Sequence, residues 1–378
     1  MAAIVADMDD TLRRTRVAFV HDVIPHYRVP LFNALNEALD GGMTVVAERP
    51  PAETFHADAV DDLDPAFISA PRLMIGGLRC TPRAVTVAAT GRFDTIVLHW
   101  HGRHVEVLPV LVLARLRRIP VVLYGHGLGR ARRKPMRLLR RIQLALSAGA
   151  IVYSEEGAAA VRDLSPRAVV HSIDNTTGRP PPGPEDVRSG AGHRLVYVGR
   201  LQERKYLDRL LDAMALLRDR GLDLSLTIVG DGPERHDLQV RADRAGLGDR
   251  VDWEGTITDW KVLRSIILDS DLVVIPEHAG LAVVDALACA RPVVTSDSPA
   301  HPPEAEFVVD GETGLVYSPA TVEGLARCLE RAYESPDLLE RLSTNAGELY
   351  RERLTLDRAV DRFVSVLRDC AGGSSTSR

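Results

Sequence analysis

The stretch that decides the fold runs from 272 to 296 and reads LVVIPEHAGLAVVDALACARPVVTS. Leu272–Ile275 is a β-branched apolar run, too short for a helix. Leu281–Ala290 is apolar or small apart from Asp285 and long enough for a buried helix, and Val293–Ser296 is a second short strand. Strand, loop, helix and strand in this order predict a parallel βαβ unit.

The alternation extends in both directions. Upstream, strands are expected at Leu195–Val198, Leu224–Val229 and Val251–Trp253, with helices at Tyr206–Arg220 and Asp259–Leu268. Downstream, Val322–Glu334 reads as a helix and Leu356–Arg368 as an amphipathic one. Before residue 176 the pattern recurs. Strands are expected at Arg16–His21, Met43–Ala47, Thr95–His99, Val121–Tyr124 and Ala150–Tyr153, and helices at Val29–Ala38, Val105–Arg118 and Pro135–Ser147. Between the halves lies TTGRPPPGPEDVRSGAG, 176–192, where proline and glycine continue neither element. The expected division is an extension at 1–15, a first domain at 16–178 and a linker at 179–192. A second domain at 193–355, a helix at 356–371 crossing back to the first domain, and a disordered tail at 372–378 complete it. The fold class is α/β: two Rossmann-like, doubly wound domains with a cleft between them, a usual place for a ligand.

Composition is that of a globular chain: 378 residues, 45% hydrophobic, 26% charged, net charge −5. No apolar run spans a membrane, and the N-terminus lacks the form of a signal peptide. Cys80, Cys289, Cys328 and Cys370 are widely separated, without metal-ligand or redox spacing, which suits reduced thiols in a cytoplasmic protein. Nothing in the charge pattern calls for nucleic acid. One block is strongly basic: Val107–Ser154 holds no acid, and includes Arg130, Arg132, Arg133, Lys134, Arg137, Arg140 and Arg141. It reads either as a face for phosphate or an anionic membrane surface, which would make the protein peripheral at the inner membrane face, or as a solvated basic face. In 135–147, Met136, Leu139, Ile142 and Leu146 are expected to face the core, with the arginines outward. Asp7-Met8-Asp9-Asp10-Thr11 matches the nucleophile loop of haloacid-dehalogenase-like phosphatases but precedes a strand of another fold, and reads as incidental.

Three segments carry chemistry. Val198-Gly199-Arg200 followed by Lys205 sets two cations over one strand end, a match for a diphosphate. Lys134, Lys205 and Lys261 are the only lysines, so a lysine here is an unusual choice. Gly230-Asp231-Gly232-Pro233 reads as a structural turn. Glu277 stands at a strand end. Ala279, Gly280 and Leu281 offer helix N-terminal amides to a phosphate, and Asp285, early in that helix, could accept from a ribose diol or face the helix dipole.

Together, VGR…K (198–205), IVGDGPE (228–234), LGDRVDWEGT (247–256), EHAGLAVVDALACARPVVTSD (277–297) and VVDGETGLVY (308–317) resemble family-4 glycosyltransferases, the retaining group with the GT-B fold. The resemblance implies sugar transfer from a nucleotide-diphosphate-sugar with retention and without a metal or other cofactor. It implies that Gly199, Arg200 and Lys205 hold the donor diphosphate, Glu277 touches the donor sugar and Asp285 holds the ribose. LHWHG (98–102) is similar to the family's histidine motif, which makes His101 a catalytic candidate, and His126 in YGHG is similar to a second one. His21, His26, His126 and Arg130 make up a candidate acceptor side. Departures are His278-Ala279-Gly280 where the family has Gly-Phe-Gly, Asp285 for glutamate, and Tyr206 for glycine. The acceptor, a glycolipid or polysaccharide precursor or a small natural product, is open. A catalytically silent GT-B binding protein and a sugar-nucleotide epimerase are the alternatives.

Overall fold

The computed structural model describes residues 15–50, 57–128, 134–188 and 192–372. The Asp7–Thr11 motif, Arg130, Arg132, Arg133 and the 373–378 tail lie outside the described residues. The chain forms two compact units: one from residues up to Gly178 and from Leu356 onward, the other Arg179–Thr355.

The first unit holds β1 (Val17–Val23), β2 (Met43–Glu48), β3 (Ala66–Ser69), β4 (Leu73–Ile75), β5 (Leu78–Cys80), β6 (Thr95–His99), β7 (Val121–Gly125), β8 (Gly149–Val152) and β9 (Val170–Ser172). Its helices are α1 (Val29–Ala38), α2 (Pro82–Thr90), α3 (Val107–Leu116), α4 (Lys134–Leu146) and α5 (Glu155–Leu164). The main sheet has seven parallel strands in the order β3-β2-β1-β6-β7-β8-β9, while β4 and β5 form a separate antiparallel hairpin. Val17–Val20 and all of β8 are buried. Such continuous apolar runs are what a parallel sheet covered on both faces requires.

The second unit holds β10 (Arg194–Val198), β11 (Ser225–Val229), β12 (Val251–Gly255), β13 (Leu272–Val274), β14 (Val293–Ser296) and β15 (Gly314–Tyr317). They form one parallel sheet in the order β12-β11-β10-β13-β14-β15. Its helices are α6 (Leu207–Asp219), α7 (Arg235–Arg244), α8 (Trp260–Asp269), α9 (Ala282–Leu287), α10 (Val322–Glu334) and α11 (Pro336–Leu349). Side-chain oxygens close two of the helix starts: Asp259 accepts from the Lys261 amide and Thr321 from the Gly324 amide. The glycine turn after β11 is a close-approach device: a Cβ on Gly230 would sit 1.9 Å from the Gly199 carbonyl oxygen.

The last helix, α12 (Leu356–Gly372), belongs to the first unit and packs on α1. Ala359, Val360, Phe363, Val364 and Leu367 form its buried stripe at helical spacing, and the Phe363 ring meets Phe19 and Tyr124 at 5.8 Å. The 179–188 segment is built into the second unit instead of hanging free. Arg179 pairs with Asp285, Asp186 with Arg264, and Arg188 with Asp271.

Helix α4 corrects one expectation. Met136, Leu139 and Leu146 are half-buried and Arg137 and Arg141 exposed, as expected, but Arg140, Gln143 and Leu144 are buried, whereas Leu138 is 60% and Ile142 41% exposed. The cause is Trp100. Its indole N–H donates to Gln143 Oε1 at 2.8 Å, and the Arg140 guanidinium stacks 4.6 Å from its ring centroid. Burial lowers Arg140 to about 10, yet the aromatic face and Gln143 compensate the cation. Among the described residues no helix is long and apolar enough to cross a membrane.

Candidate functional site

In the second unit the strand order reverses between β10 and β13, with β11 and β12 on one side and β14 and β15 on the other. Ligands of doubly wound sheets bind at the carboxyl ends of strands at such a switch point. The loops leaving β10 and β13 converge there. Lys205 Nζ donates to the carbonyl of His278 at 2.7 Å, and Arg204 Nη1 lies 3.0 Å from His278 Nε2. Burial, then Arg204, push the Lys205 amine down to about 8. Burial, Arg204 and Lys205 also lower His278, so its ring is neutral at pH 7 and Nε2 accepts. The Arg200 side chain is exposed and makes no hydrogen bond or ion pair with the described residues, while its carbonyl accepts from Tyr197. Gly199 precedes it, at the end of β10.

Two of the departures from the family pattern fall at strained backbone. Tyr206 and His278 have φ of 50° and 55°, the left-handed region that glycine enters without cost. Tyr206 gains a contact glycine would lack: its ring lies 4.6 Å from the Arg209 guanidinium.

Glu277 is buried and paired. Its Oε1 accepts from Ser296 Oγ at 2.9 Å and from Arg209 at 3.3 Å, and Arg209 also donates to the Tyr317 hydroxyl at 2.9 Å. The expectation of free amides at 279–281 needs correction. Ala279 is fully buried and its amide donates to His301 Nδ1 at 2.9 Å, while α9 begins only at Ala282. The expectation narrows to Gly280 and Leu281. Asp285 is buried, and its Oδ1 accepts from Arg179 Nε at 3.0 Å. The Arg179 guanidinium in turn lies 4.3 Å from the Trp260 centroid. Arg179, Arg204, Arg209, Ser296 and His301 were not singled out from the sequence: Arg204 and Ser296 lie within the quoted motifs but off their marked positions, and Arg179, Arg209 and His301 reach the site from outside them.

The first unit has its own switch point, between β1 and β6. His21 stacks on His99 with centroids 4.8 Å apart, and its Nδ1 is 2.9 Å from the Val23 carbonyl. Burial and Arg28 lower His21 to about 4, so it is neutral. His101 is exposed, 6.3 Å from His99 and 5.9 Å from His104 between centroids. Burial and the neighbouring His104 lower it. His126 meets the Tyr153 ring edge-on at 4.6 Å and is lowered by burial and Arg28. His26 is exposed beside Tyr27. The fold thus gathers His21, His99, His101 and His104. His104 and Asp22 were missed, and His99, though inside the quoted LHWHG motif, was given no role of its own, because the cluster exists only once β1 and β6 are paired.

A family model described as glycosyl transferases group 1 matches residues 188–349. The alpha-D-kanosaminyltransferase of Streptomyces kanamyceticus is 32% identical over 178 residues, 46% of this chain and 45% of that protein. The lipopolysaccharide core biosynthesis mannosyltransferase LpcC of Rhizobium leguminosarum bv. viciae is 26% identical over 288 residues, 72% of this chain and 78% of that protein. The match therefore spans under half the length of the first of these relatives. Among solved structures, Anabaena Alr3699/HepE in complex with UDP and glucose superposes with a TM-score of 0.69 at 18% identity, over 93% of this chain and 99% of that one. At that identity the likeness speaks for the fold alone. Residues 188–349 thus match the glycosyl transferases group 1 family, and the two doubly wound units have the GT-B fold.

Proposed function

We propose that this protein is a retaining glycosyltransferase that takes a sugar from a nucleoside-diphosphate donor bound by the Arg179–Thr355 unit. The observation that carries the reading is the convergence of Lys205, Arg204 and Glu277 around His278 at the switch point of that unit. Cations there suit a departing diphosphate, and Arg200 adds an uncommitted guanidinium. Glu277, fixed by Ser296 and Arg209, suits a donor-sugar hydroxyl. The cations neutralise the leaving group without a metal, and the leaving phosphate itself takes the acceptor proton on the same face of the sugar. UDP is the first donor base to test, given the nucleotide named with the structural relative. The experiment is a nucleotide-release assay over a donor panel, with the anomeric configuration of the product read by NMR. Inverted product overturns retention. Binding without turnover over an acceptor panel points to a silent binder, and sugar conversion without acceptor to an epimerase.

Lys205 gives this reading a pH signature. Burial pushes its amine down to about 8, and only the charged form attracts a diphosphate. Donor affinity should therefore hold below pH 8 and fall above it, by up to about tenfold per unit. Lys205→Arg should flatten the profile, and Lys205→Ala should weaken UDP about 10- to 100-fold by calorimetry. A wild-type profile flat to pH 10 would sink the assignment.

For the acceptor we favour a glycolipid or polysaccharide precursor at an anionic surface. Helix α4 presents Lys134, Arg137 and Arg141 beside the exposed Leu138 and Ile142, a mixed basic and apolar face. At about 1 kcal/mol per basic residue, these cations should give roughly 100-fold preference for anionic over neutral vesicles. Salt should erase it, since the Debye length is ~3 Å at 1 M. Equal sedimentation with both vesicle types at low salt would leave the small natural product as the better reading.

A further inference from the structure

The carboxyl ends of β1 and β6 and the loop after β6 carry a group of side chains that sugar transfer, as proposed, does not use. Donor atoms of Asp22, His99 and His104 all lie within 4.8 Å of one another. The His104 side chain is 2% exposed, and its Nε2 stands 3.0 Å from Asp22 Oδ1, at ion-pair distance but outside hydrogen-bond geometry. Asp22 Oδ1, His104 Nε2 and His99 Nδ1 are all buried without a hydrogen-bond partner. One such atom costs about 1–3 kcal/mol. Three that face each other ask for a common ligand.

The surrounding contacts are those that orient metal ligands. His104 Nδ1 is 2.8 Å from Glu106 Oε1. A proton held there leaves Nε2 as a lone pair, as in carboxylate–histidine–metal arrangements. Arg79 Nη1 donates to Asp22 Oδ2 at 2.9 Å, tying the other carboxylate oxygen. Asp22 and Glu106 supply two carboxylates beside His104, and Arg72 is drawn to Glu48 at 2.9 Å. Two imidazole nitrogens and one carboxylate oxygen are a usual Zn²⁺ ligand set, and tetrahedral bonds of about 2.0–2.1 Å put ligand atoms roughly 3.3–3.5 Å apart. The 3.0 Å from His104 Nε2 to Asp22 Oδ1 is near that value, and the three donor atoms, all within 4.8 Å of one another, need only small shifts to reach it.

We propose that Asp22, His99 and His104 form a three-ligand Zn²⁺ site whose fourth position is open to an oxygen ligand, with Glu106 as the positioning residue behind His104. The site is independent of the donor reading, because it uses no residue of the Arg179–Thr355 unit. Without zinc, the cluster would instead hold a second proton on His104 between the two carboxylates.

The test uses the full chain, stripped with a chelator, desalted and titrated with ZnCl₂ by calorimetry and by dialysis with metal analysis. One equivalent should bind. His99→Ala and Asp22→Asn should each lose it, and Glu106→Gln, which keeps every ligand, should weaken it about 10- to 100-fold. The Co²⁺ form should show visible d–d bands without a thiolate charge-transfer band, and Cys80→Ser should bind as wild type. If a variant fails to fold by circular dichroism, the cobalt spectrum of the wild type and the Glu106→Gln titration decide. Absence of a saturable equivalent, a thiolate band, or undiminished binding in folded His99→Ala overturns the site. UDP titrated into folded His99→Ala reads the donor reading separately, since failure there leaves the zinc result standing.

Discussion

Glu277→Gln should lower turnover by about 10²–10³ while leaving UDP affinity equal or slightly higher. The carboxylate is buried, and Ser296 Oγ and Arg209 both donate to Oε1. Glutamine keeps an oxygen at that place and nearly the same volume, so the fold should survive with a melting temperature within a few degrees of wild type. What disappears is a negative charge where the donor sugar's hydroxyls would sit. A charge lost near an anionic diphosphate cannot weaken nucleotide binding by electrostatics, so the effect should appear in kcat. Glu277→Ala is a poorer probe. It strips Arg209 of its carboxylate partner, leaving it the Tyr317 hydroxyl, and should destabilise as well. Full activity in the glutamine variant, or loss of UDP binding matching the loss of turnover, would sink the assignment.

The fold was legible wherever burial imposes a period. β6, β14, α1 and α10 fall at the positions that apolar runs and helical stripes predict, because a two-sided parallel sheet leaves no choice of residue type there. The hairpin β4–β5 was not legible. Leu73, Met74 and Leu78 are 46–60% exposed, so no buried face patterns those short strands. The orientation of α4 was misread for a physical reason. Trp100, from another segment, draws Arg140 and Gln143 inward, and no period within the helix encodes that partner. In the second unit the motif residues Lys205 and Glu277 stand at the switch point, but several of their partners are remote in sequence. His301 took the Ala279 amide from 22 residues away, a contact that spacing does not reveal.

Asp271→Ala should cost about 3–5 kcal/mol, the scale of breaking a buried charge pair. For a unit of this size, that corresponds to a melting temperature lower by about 6–20 °C. Asp271 precedes β13, and its side chain is 0% exposed. Oδ1 accepts from Arg188 Nε at 2.8 Å, and both oxygens lie 3.0 Å from the Gly192 amide. Oδ2 accepts from the Arg194 amide at 2.9 Å and the Tyr333 hydroxyl at 3.2 Å. One carboxylate thus ties the entry segment, the first strand of the sheet and α10 to β13. Alanine leaves Arg188 facing a void and the Gly192 and Arg194 amides and the Tyr333 hydroxyl without their acceptor. Each such group bears its own desolvation penalty. Asparagine keeps one acceptor oxygen and should lose less than alanine. Because Asp271 lies at the amino end of β13 and Glu277 beyond its carboxyl end, UDP affinity measured well below the lowered melting point should stay near wild type. An unchanged melting temperature for Asp271→Ala would mean that water or neighbouring groups take over all of these bonds, and the structural role assigned to this residue would be wrong.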